Sequence, residues 1–271
     1  MYLAIDVGGS KTLLAVFSED GEVVLKHKIA TNPDYAGFLT DIKNALTNEL
    51  QNPQITYCCC AIPGAVDRKQ GLGIRFGNLD WQNVPLQKDL SNILPGIPVL
   101  LEHDAALGGL HEALILQDEY KKVLYVAPGT GIAAVLIING KIDPDMADNE
   151  AGHMVISTDN GQPKTWEDLA SGRVLKARYG QLASEIEDPA VWSSFSAGFA
   201  LGLQVLISIL QPEVIVVGGG VGAHLDKFKT PLETELNKLQ NKMVPIPPII
   251  QSKQPEEAVI YGCYDFIKQH N

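Results

Sequence analysis

Cysteine is scarce in this chain: four in 271 residues, three of them adjacent at Cys58, Cys59 and Cys60. So few, placed so close together, do not suggest a disulfide framework. The three neighbours do not make a zinc site either. Zinc ligands come as spaced pairs, and successive side chains on a strand point to opposite faces. They are expected to be small buried hydrophobes. Long apolar runs are also missing: the longest read as too short or too polar to span a bilayer, so no membrane partner is expected. Met1 runs straight into the strand-like YLAIDV, so no signal peptide is expected and the cytoplasm is the expected location. Positive charge is in deficit, with 21 Lys and Arg against 32 Asp and Glu and a formal net charge of -11. An acidic surface repels phosphate backbones, which argues against non-specific nucleic-acid binding. A local site can still take an anionic substrate.

What remains is ordinary globular composition, 45% hydrophobic and 20% charged, in a chain long enough for two domains. The apolar spacing alternates between strand and helix periods, which predicts α/β class. YLAIDVGGSKTLLAVFS reads as strand, glycine turn, strand, with EVVLKHKIA as a further strand. FLTDIKNALTNEL reads as helix, ITYCCCAI as a buried strand and VPLQKDLSNIL as a short helix. IPVLLE is a strand and DAALGGLHEALIL a helix. KVLYVAPGTGIAAVLIINGKI then repeats strand, glycine turn, strand. PAVWSSFSAGFALGLQVLISIL reads as a long apolar helix and EVIVVGGGV as a strand entering a third glycine cluster. HLDKFKTPLETELNKLQNKM is mostly helix, where Pro231 is expected to start or kink a segment. IPPII is a short extended piece and EEAVIYGCYDFIKQ a final helix. The strand–glycine turn–strand unit occurs near residue 8 and again near residue 130, which suggests a duplicated architecture of two similar domains.

Three glycine turns are candidates for holding phosphate. Asp6 ends a strand and is followed by Gly8, Gly9, Ser10, Lys11 and Thr12. Glycines let backbone N–H groups approach an anion, and the hydroxyls and Lys11 add donors. The turn follows neither the Walker pattern nor G-x-G-x-x-G, and a plain hairpin turn also accounts for Gly-Gly. Gly129, Thr130 and Gly131 make the second turn. Gly218, Gly219 and Gly220 make the third, where a strand meets a helix, the usual ligand position in open α/β sheets. Asp104, between a strand and a helix, is either a helix N-cap or a general base carried on a rigid strand end. EAGHMVISTDNGQPKTWEDLASG, residues 150–172, sets Glu150, His153 and Glu167 around a short polar loop. Those three side chains suit a metal, a sugar-sized ring of hydrogen bonds, or a charged hairpin.

Taken together, DVGGSKT, AIPGAVD, GNLDW, EHDA, PGTG, EAGHM, EDLASG and VVGGGV resemble, in kind and in order, the motifs of the ROK (repressor, open reading frame, kinase) family over nearly the whole chain. The resemblance implies a two-domain actin-like, hexokinase-like fold of ribonuclease-H-like domains with a central cleft. The expected lobes are residues 1–104 with the C-terminal helix 256–271, and residues 105–255. It implies an ATP-dependent sugar kinase acting on a hexose, glucose by default. N-acetylmannosamine or N-acetylglucosamine kinases and a non-catalytic sugar sensor are the alternatives, and polyphosphate is an alternative donor. Asp6, Gly8, Gly9, Lys11 and Thr12 match the first phosphate turn, with Asp6 near Mg2+. Gly129, Thr130 and Gly131 match the second, and Gly218, Gly219 and Gly220 the turn beside the adenosine. Asn78, His103, Asp104, Glu150, His153 and Glu167 match sugar-binding positions, and Asp104 the base that takes the hydroxyl proton. Such kinases often form homodimers. ROK repressors carry a DNA-binding segment before the sugar-binding part, and nothing here precedes the first strand, so no nucleic-acid partner is expected.

The chain departs from that pattern in three places. VISTDNGQPKTWE stands where the family carries a cysteine-rich zinc loop and contains no cysteine, so no zinc is expected and His153 needs another partner. His103 stands where the family usually has a sugar-contacting Asn. Ala133 and Ala134 replace residues that are often glycine; they either narrow the nucleotide site or merely line a strand.

Overall fold

In the computed structural model, which describes every residue except 52, 78, 241, 242 and 256, the two hairpin-like units each open a five-stranded sheet. The elements in chain order are β1 (Tyr2–Val7), β2 (Lys11–Phe17), β3 (Val23–Ala30), α1 (Tyr35–Asn44), β4 (Tyr57–Ile62), β5 (Val66–Asp67), β6 (Leu72–Phe76), β7 (Leu79–Val84), α2 (Leu86–Ile93), β8 (Val99–His103) and α3 (Asp104–Ile115). They continue with β9 (Lys122–Pro128), β10 (Ile132–Ile138), β11 (Lys141–Ile142), β12 (Val155–Asp159), β13 (Gln162–Thr165), α4 (Trp166–Ala170), α5 (Gly172–Tyr179), α6 (Pro189–Leu210), β14 (Val214–Val217), α7 (Gly219–Gly222), α8 (Leu225–Leu239), β15 (Ile249–Gln251) and α9 (Ala258–His270).

The chain divides into two compact units, Met1–His111 with Val259–Asn271, and Glu112–Ala258. The sheet of the first runs β3-β2-β1-β4-β8 and that of the second β11-β10-β9-β14-β15. In each, the opening strands pair antiparallel and the two later strands add in parallel. The motif duplication in the sequence is therefore a duplication of topology.

Central strands explain the apolar runs. β1 is flanked by β2 and β4 and buries Leu3, Ile5 and Val7 with Leu14, Val16, Phe38 and Ile42. Cys58, Cys59 and Cys60 lie on β4 between β1 and β8, and all three are fully buried, as is Cys263 on α9. Burial pushes the thiols of Cys60 and Cys263 well above the usual cysteine range, so they pack as hydrophobes. Trp81 anchors the small β5-β6-β7 sheet: it is buried against Phe38 and Phe76, and its Nε1–H donates to Pro33 O at 2.8 Å.

Three elements differ from expectation. Helix α6 is long and apolar enough to cross a membrane by length and composition. Its sequence is apolar nearly all round because Trp192, Phe195, Phe199 and Leu203 pack into the second unit's core with Phe228 and Leu232 of α8. Helix α8 runs through Pro231 from Leu225 to Leu239, with Phe228, Leu232 and Leu236 buried on one face. Tertiary burial outweighs the missing N–H there. The polar stretch after His153 is not a loop but the β12–β13 hairpin followed by α4. Asn160 and Gly161 take the left-handed conformations a tight hairpin turn demands.

Candidate functional site

The first unit contributes a carboxylate pair. Asp6 is the penultimate residue of β1, paired with Leu13 on one side and Ala61 on the other. Burial, reinforced by the charge of Asp104 and opposed by Lys28, raises its pKa to about 7. The adjoining turn is braced from within. Gly8 N–H donates to Lys11 O at 3.0 Å, Thr31 Oγ1 donates to Gly8 O at 2.7 Å, and the Thr12 and Thr31 hydroxyls pair at 2.9 Å. Thr12 is fully buried. Its hydroxyl secures the turn through Thr31. Lys11 is exposed.

At the end of β8, Glu102 is nearly fully buried and forms a bidentate pair with Arg68, whose Nε donates to Oε2 at 2.7 Å and whose Nη2 pairs with Oε1. Glu102 Oε1 also accepts the His103 backbone N–H at 2.7 Å, which fixes the strand end that presents His103 and Asp104. His103 Nε2 lies 3.3 Å from Asp104 Oδ1, and the Ala105 N–H donates to the same oxygen at 2.6 Å. Among the described residues Asp104 Oδ2 has no hydrogen-bond partner, and the side chain is 31% exposed. Burial raises the Asp104 pKa, while His103 and the Ala105 N–H oppose the rise. Asp104 is thus both the first residue of α3 and a carboxylate with one oxygen held and one open. The His103 side chain is only 12% exposed, and its Nδ1 is buried without a partner among the described residues. Its ring lies against Asp104. The expected sugar ligand Asn78 lies outside the described residues.

The second unit holds a cavity of about 730 Å³. One side is the β9–β10 turn at Gly129 and Thr130, another is α5 at Gly172, Arg173, Lys176 and Ala177, and a third is Gly220, Val221 and His224, with Leu182, Ala183 and Ser184 completing it. A side chain at Gly129 or Gly220 would meet open space, so these two glycines keep the wall low. At Gly218 and Gly219 a side chain would meet protein. A Cβ on Gly218 would lie 2.4 Å from the Tyr125 hydroxyl, and one on Gly219, at φ +72°, 3.0 Å from Pro128 O. At those two positions chain packing requires glycine. Gly129 N–H is taken up by Gly131 O at 2.8 Å, closing the turn just as Gly8 closes its own. Ala133 and Ala134 lie on β10 and do not line this cavity. Sequence reasoning missed Arg173, Lys176 and His224. The signal for the first two was their i, i+3 spacing just past EDLASG, which sets them on one helix face.

Glu150, His153 and Glu167 come together in the same unit. His153 Nε2 lies 3.2 Å from Glu167 Oε1 and 3.9 Å from Glu150 Oε2. His153 and Glu150 are well exposed, whereas the Glu167 side chain is 9% exposed. Glu167 is placed by its neighbours on α4. Trp166 is fully buried, its backbone N–H donates to Met154 O at 2.9 Å, and its Nε1–H to Phe199 O at 3.1 Å. Thr165 caps the helix reciprocally with Asp168. Among the described residues no group of three or more Cys, His, Asp or Glu side chains has metal-binding geometry. His153 takes its orientation from carboxylates.

The family model of the ROK family matches residues 2–270. The chain is a member of the ROK family. This ROK protein is 27% identical to a glucokinase of Halalkalibacterium halodurans, over 86% of this chain and 84% of that one. It is also 27% identical to an N-acetyl-D-glucosamine kinase of Haemophilus influenzae, over 97% and 98% respectively. Its structure is similar to that of a ROK glucokinase from Streptomyces griseus in complex with glucose and AMPPNP, with a TM-score of 0.82, 22% identity and 99% of each chain covered. The fold is accordingly the two-domain actin-like, hexokinase-like α/β fold.

Proposed function

We propose that this ROK protein is an ATP-dependent sugar kinase that phosphorylates a hexose, glucose to glucose 6-phosphate being the first reading. The observation that carries the proposal is Asp104: Oδ1 accepts the Ala105 N–H and has His103 Nε2 3.3 Å away, while Oδ2, without a hydrogen-bond partner among the described residues, is left to accept a proton. In the reaction a sugar hydroxyl gives its proton to Asp104 as its oxygen bonds to the γ-phosphorus, and the bond from that phosphorus to the β–γ bridging oxygen breaks, releasing ADP. The raised Asp104 pKa makes this carboxylate a stronger base than a solvated one.

The 730 Å³ cavity suits the donor. Its apolar wall of Ala177, Leu182, Ala183 and Val221 offers a surface to a nucleobase that inorganic polyphosphate has no use for, and Arg173 and Lys176 add positive charge. Mg2+ arriving with ATP would supply charge neutralisation, and Asp6 is the residue that would hold it: a hard cation takes ionised carboxylate oxygens, and its charge would offset the burial and the Asp104 repulsion that otherwise keep Asp6 protonated. Glu150, His153 and Glu167 are the acceptors and donors a polyol requires.

An N-acetylhexosamine acceptor is the second reading. It is favoured by an apolar cavity of about 240 Å³ that Glu150 lines together with Met146, Met154 and Leu206, room for an acyl methyl. The test is ADP release across glucose, mannose, fructose, N-acetylglucosamine and N-acetylmannosamine, with ATP and polyphosphate as donors. Glucose with ATP is expected to give the highest kcat/KM. A higher value for an N-acetylated sugar selects the second reading, and hexose binding without ADP release contradicts both.

A further inference from the structure

We propose that Glu167 is a positioning residue that couples occupancy of the donor cavity to occupancy of His153, acting through the turn between β9 and β10. This rests on the kinase reading above and concerns only the second unit.

The two oxygens of Glu167 face different partners. Oε1 lies 3.2 Å from His153 Nε2. Oε2 fills the place a Cβ on Gly131 would need, 2.3 Å from it. Gly131 is therefore glycine because a carboxylate lies against it. Gly129, two positions earlier in the same turn, faces the open cavity. The turn thus has one glycine toward the donor and one toward the polyol-binding cluster.

The remaining contacts of the turn make it a common seat for both sides. Gly172 N–H donates to Gly129 O at 2.7 Å and Arg173 N–H to Thr130 O at 3.4 Å, so the α5 end that walls the cavity is bonded to the turn. Across from it, Gly152 leaves no room for a side chain against Ile132 O, where a Cβ would lie at 2.4 Å. That contact seats the His153 segment on the first residue of β10. Glu167 is nearly buried and Trp166 beside it is fully buried, so the carboxylate has little freedom to swing away. A hydroxyl that engages His153 disturbs its 3.2 Å contact with Glu167 Oε1, and Gly131 lies against the other oxygen of Glu167 to take up the change. Close packing converts such a shift into a displacement of the neighbour, and the free-energy coupling is reciprocal between the two ligands.

The experiment is calorimetric titration of the full chain with Mg2+ and AMPPNP, with and without saturating glucose, repeated with N-acetylglucosamine. In the wild-type protein the sugar is expected to tighten AMPPNP by about fivefold or more, and AMPPNP to tighten the sugar by the same factor. Glu167→Gln keeps the shape but weakens both contacts, and is expected to bring the factor below about twofold. Gly131→Ala, which displaces the carboxylate without removing its charge, is expected to do the same and serves if Glu167→Gln does not fold. A wild-type factor retained in either variant overturns the proposal, even where sugar affinity falls, because Glu167 is then a sugar ligand only. A wild-type protein that binds both ligands independently also overturns it and leaves the kinase reading standing. One that binds neither sugar overturns that reading and the coupling with it.

Discussion

His103 Nε2 lies 3.3 Å from Asp104 Oδ1, and the Ala105 N–H reaches the same oxygen at 2.6 Å. This arrangement leaves Oδ2 to face a substrate, and it has a consequence for pH. As the proposed base, Asp104 works only when ionised, so kcat/KM is expected to rise with pH through the Asp104 pKa. Burial places that pKa above the ordinary carboxylate range, with His103 and the Ala105 N–H holding it down; Asp6 also faces Asp104. Removing His103 takes away an opposing influence, so the acidic limb of the His103→Ala profile is expected at higher pH than in wild type. His103→Asn, which retains a donor, is expected to move it less. Profiles from about pH 5 to 9 check this; superimposable limbs would show that His103 does not act on the base.

Asp6 ties stability to pH in the opposite direction from a salt-bridged carboxylate. Its folded pKa is about 7, against an ordinary value of 3.8. Between those values the folded state binds the proton and the unfolded state does not, so stability falls as pH rises through that window and levels off above it. Urea midpoints at about pH 5, 6, 7 and 8 should decline across the lower three. Asp6→Asn should flatten the decline.

Two glycines should separate packing from binding. A Cβ on Gly202 of α6 would lie 2.3 Å from the Trp166 ring. Gly202→Ala is expected to cost about 1–3 kcal/mol as an overpacked core substitution, a drop in Tm of about 2–4 °C per kcal/mol for a domain of this order of size. Because Trp166 precedes Glu167, the sugar KM should rise as well. A Cβ on Gly129 meets nothing, so Gly129→Ala should leave Tm unchanged and raise the KM for ATP. Thermal melts and steady-state kinetics on both variants make the comparison.

Metal removal is a further test. With His153 oriented by Glu167 at 3.2 Å, a chelator selective for zinc, added with Mg2+ in excess, should leave both Tm and turnover unchanged. Loss of either, restored by zinc, would show a structural metal.

Much of the fold was legible in the sequence because central strands and the long core helix carry strong apolar signals. The runs at YLAIDV, KVLYVAP and EVIVV became β1, β9 and β14, and the repeated strand–turn–strand order became two sheets of the same topology. The β12–β13 hairpin was legible only as one of three readings of residues 150–172, although Asn160-Gly161 marks its turn, because Val155 and Ile156 are adjacent and the other strand residues are nearly all polar, so no alternation shows. Roles within the glycine turns were the least legible. Gly129 and Gly220 face a cavity while Gly131, Gly218 and Gly219 face Glu167, Tyr125 and Pro128; which space a missing Cβ leaves open depends on neighbours distant in sequence. Thr12 shows the same limit, since its hydroxyl is claimed by Thr31, 19 residues away. The missing cysteines of the 150–172 stretch were visible in the sequence, but the approach of Glu167 to His153 at 3.2 Å was not, because it depends on how α4 packs against the His153 segment.

The measurement that bears most directly on the central claim is product formation from glucose, ATP and Mg2+ by the wild-type protein and by Asp104→Ala side by side, with glucose affinity measured on each. The expected result is glucose 6-phosphate and ADP in equal amounts from the wild type, a kcat about 10²–10⁴-fold lower in the variant, and glucose binding within a few-fold of wild type. Near-normal turnover by Asp104→Ala, or no sugar phosphate from the wild type, would contradict it.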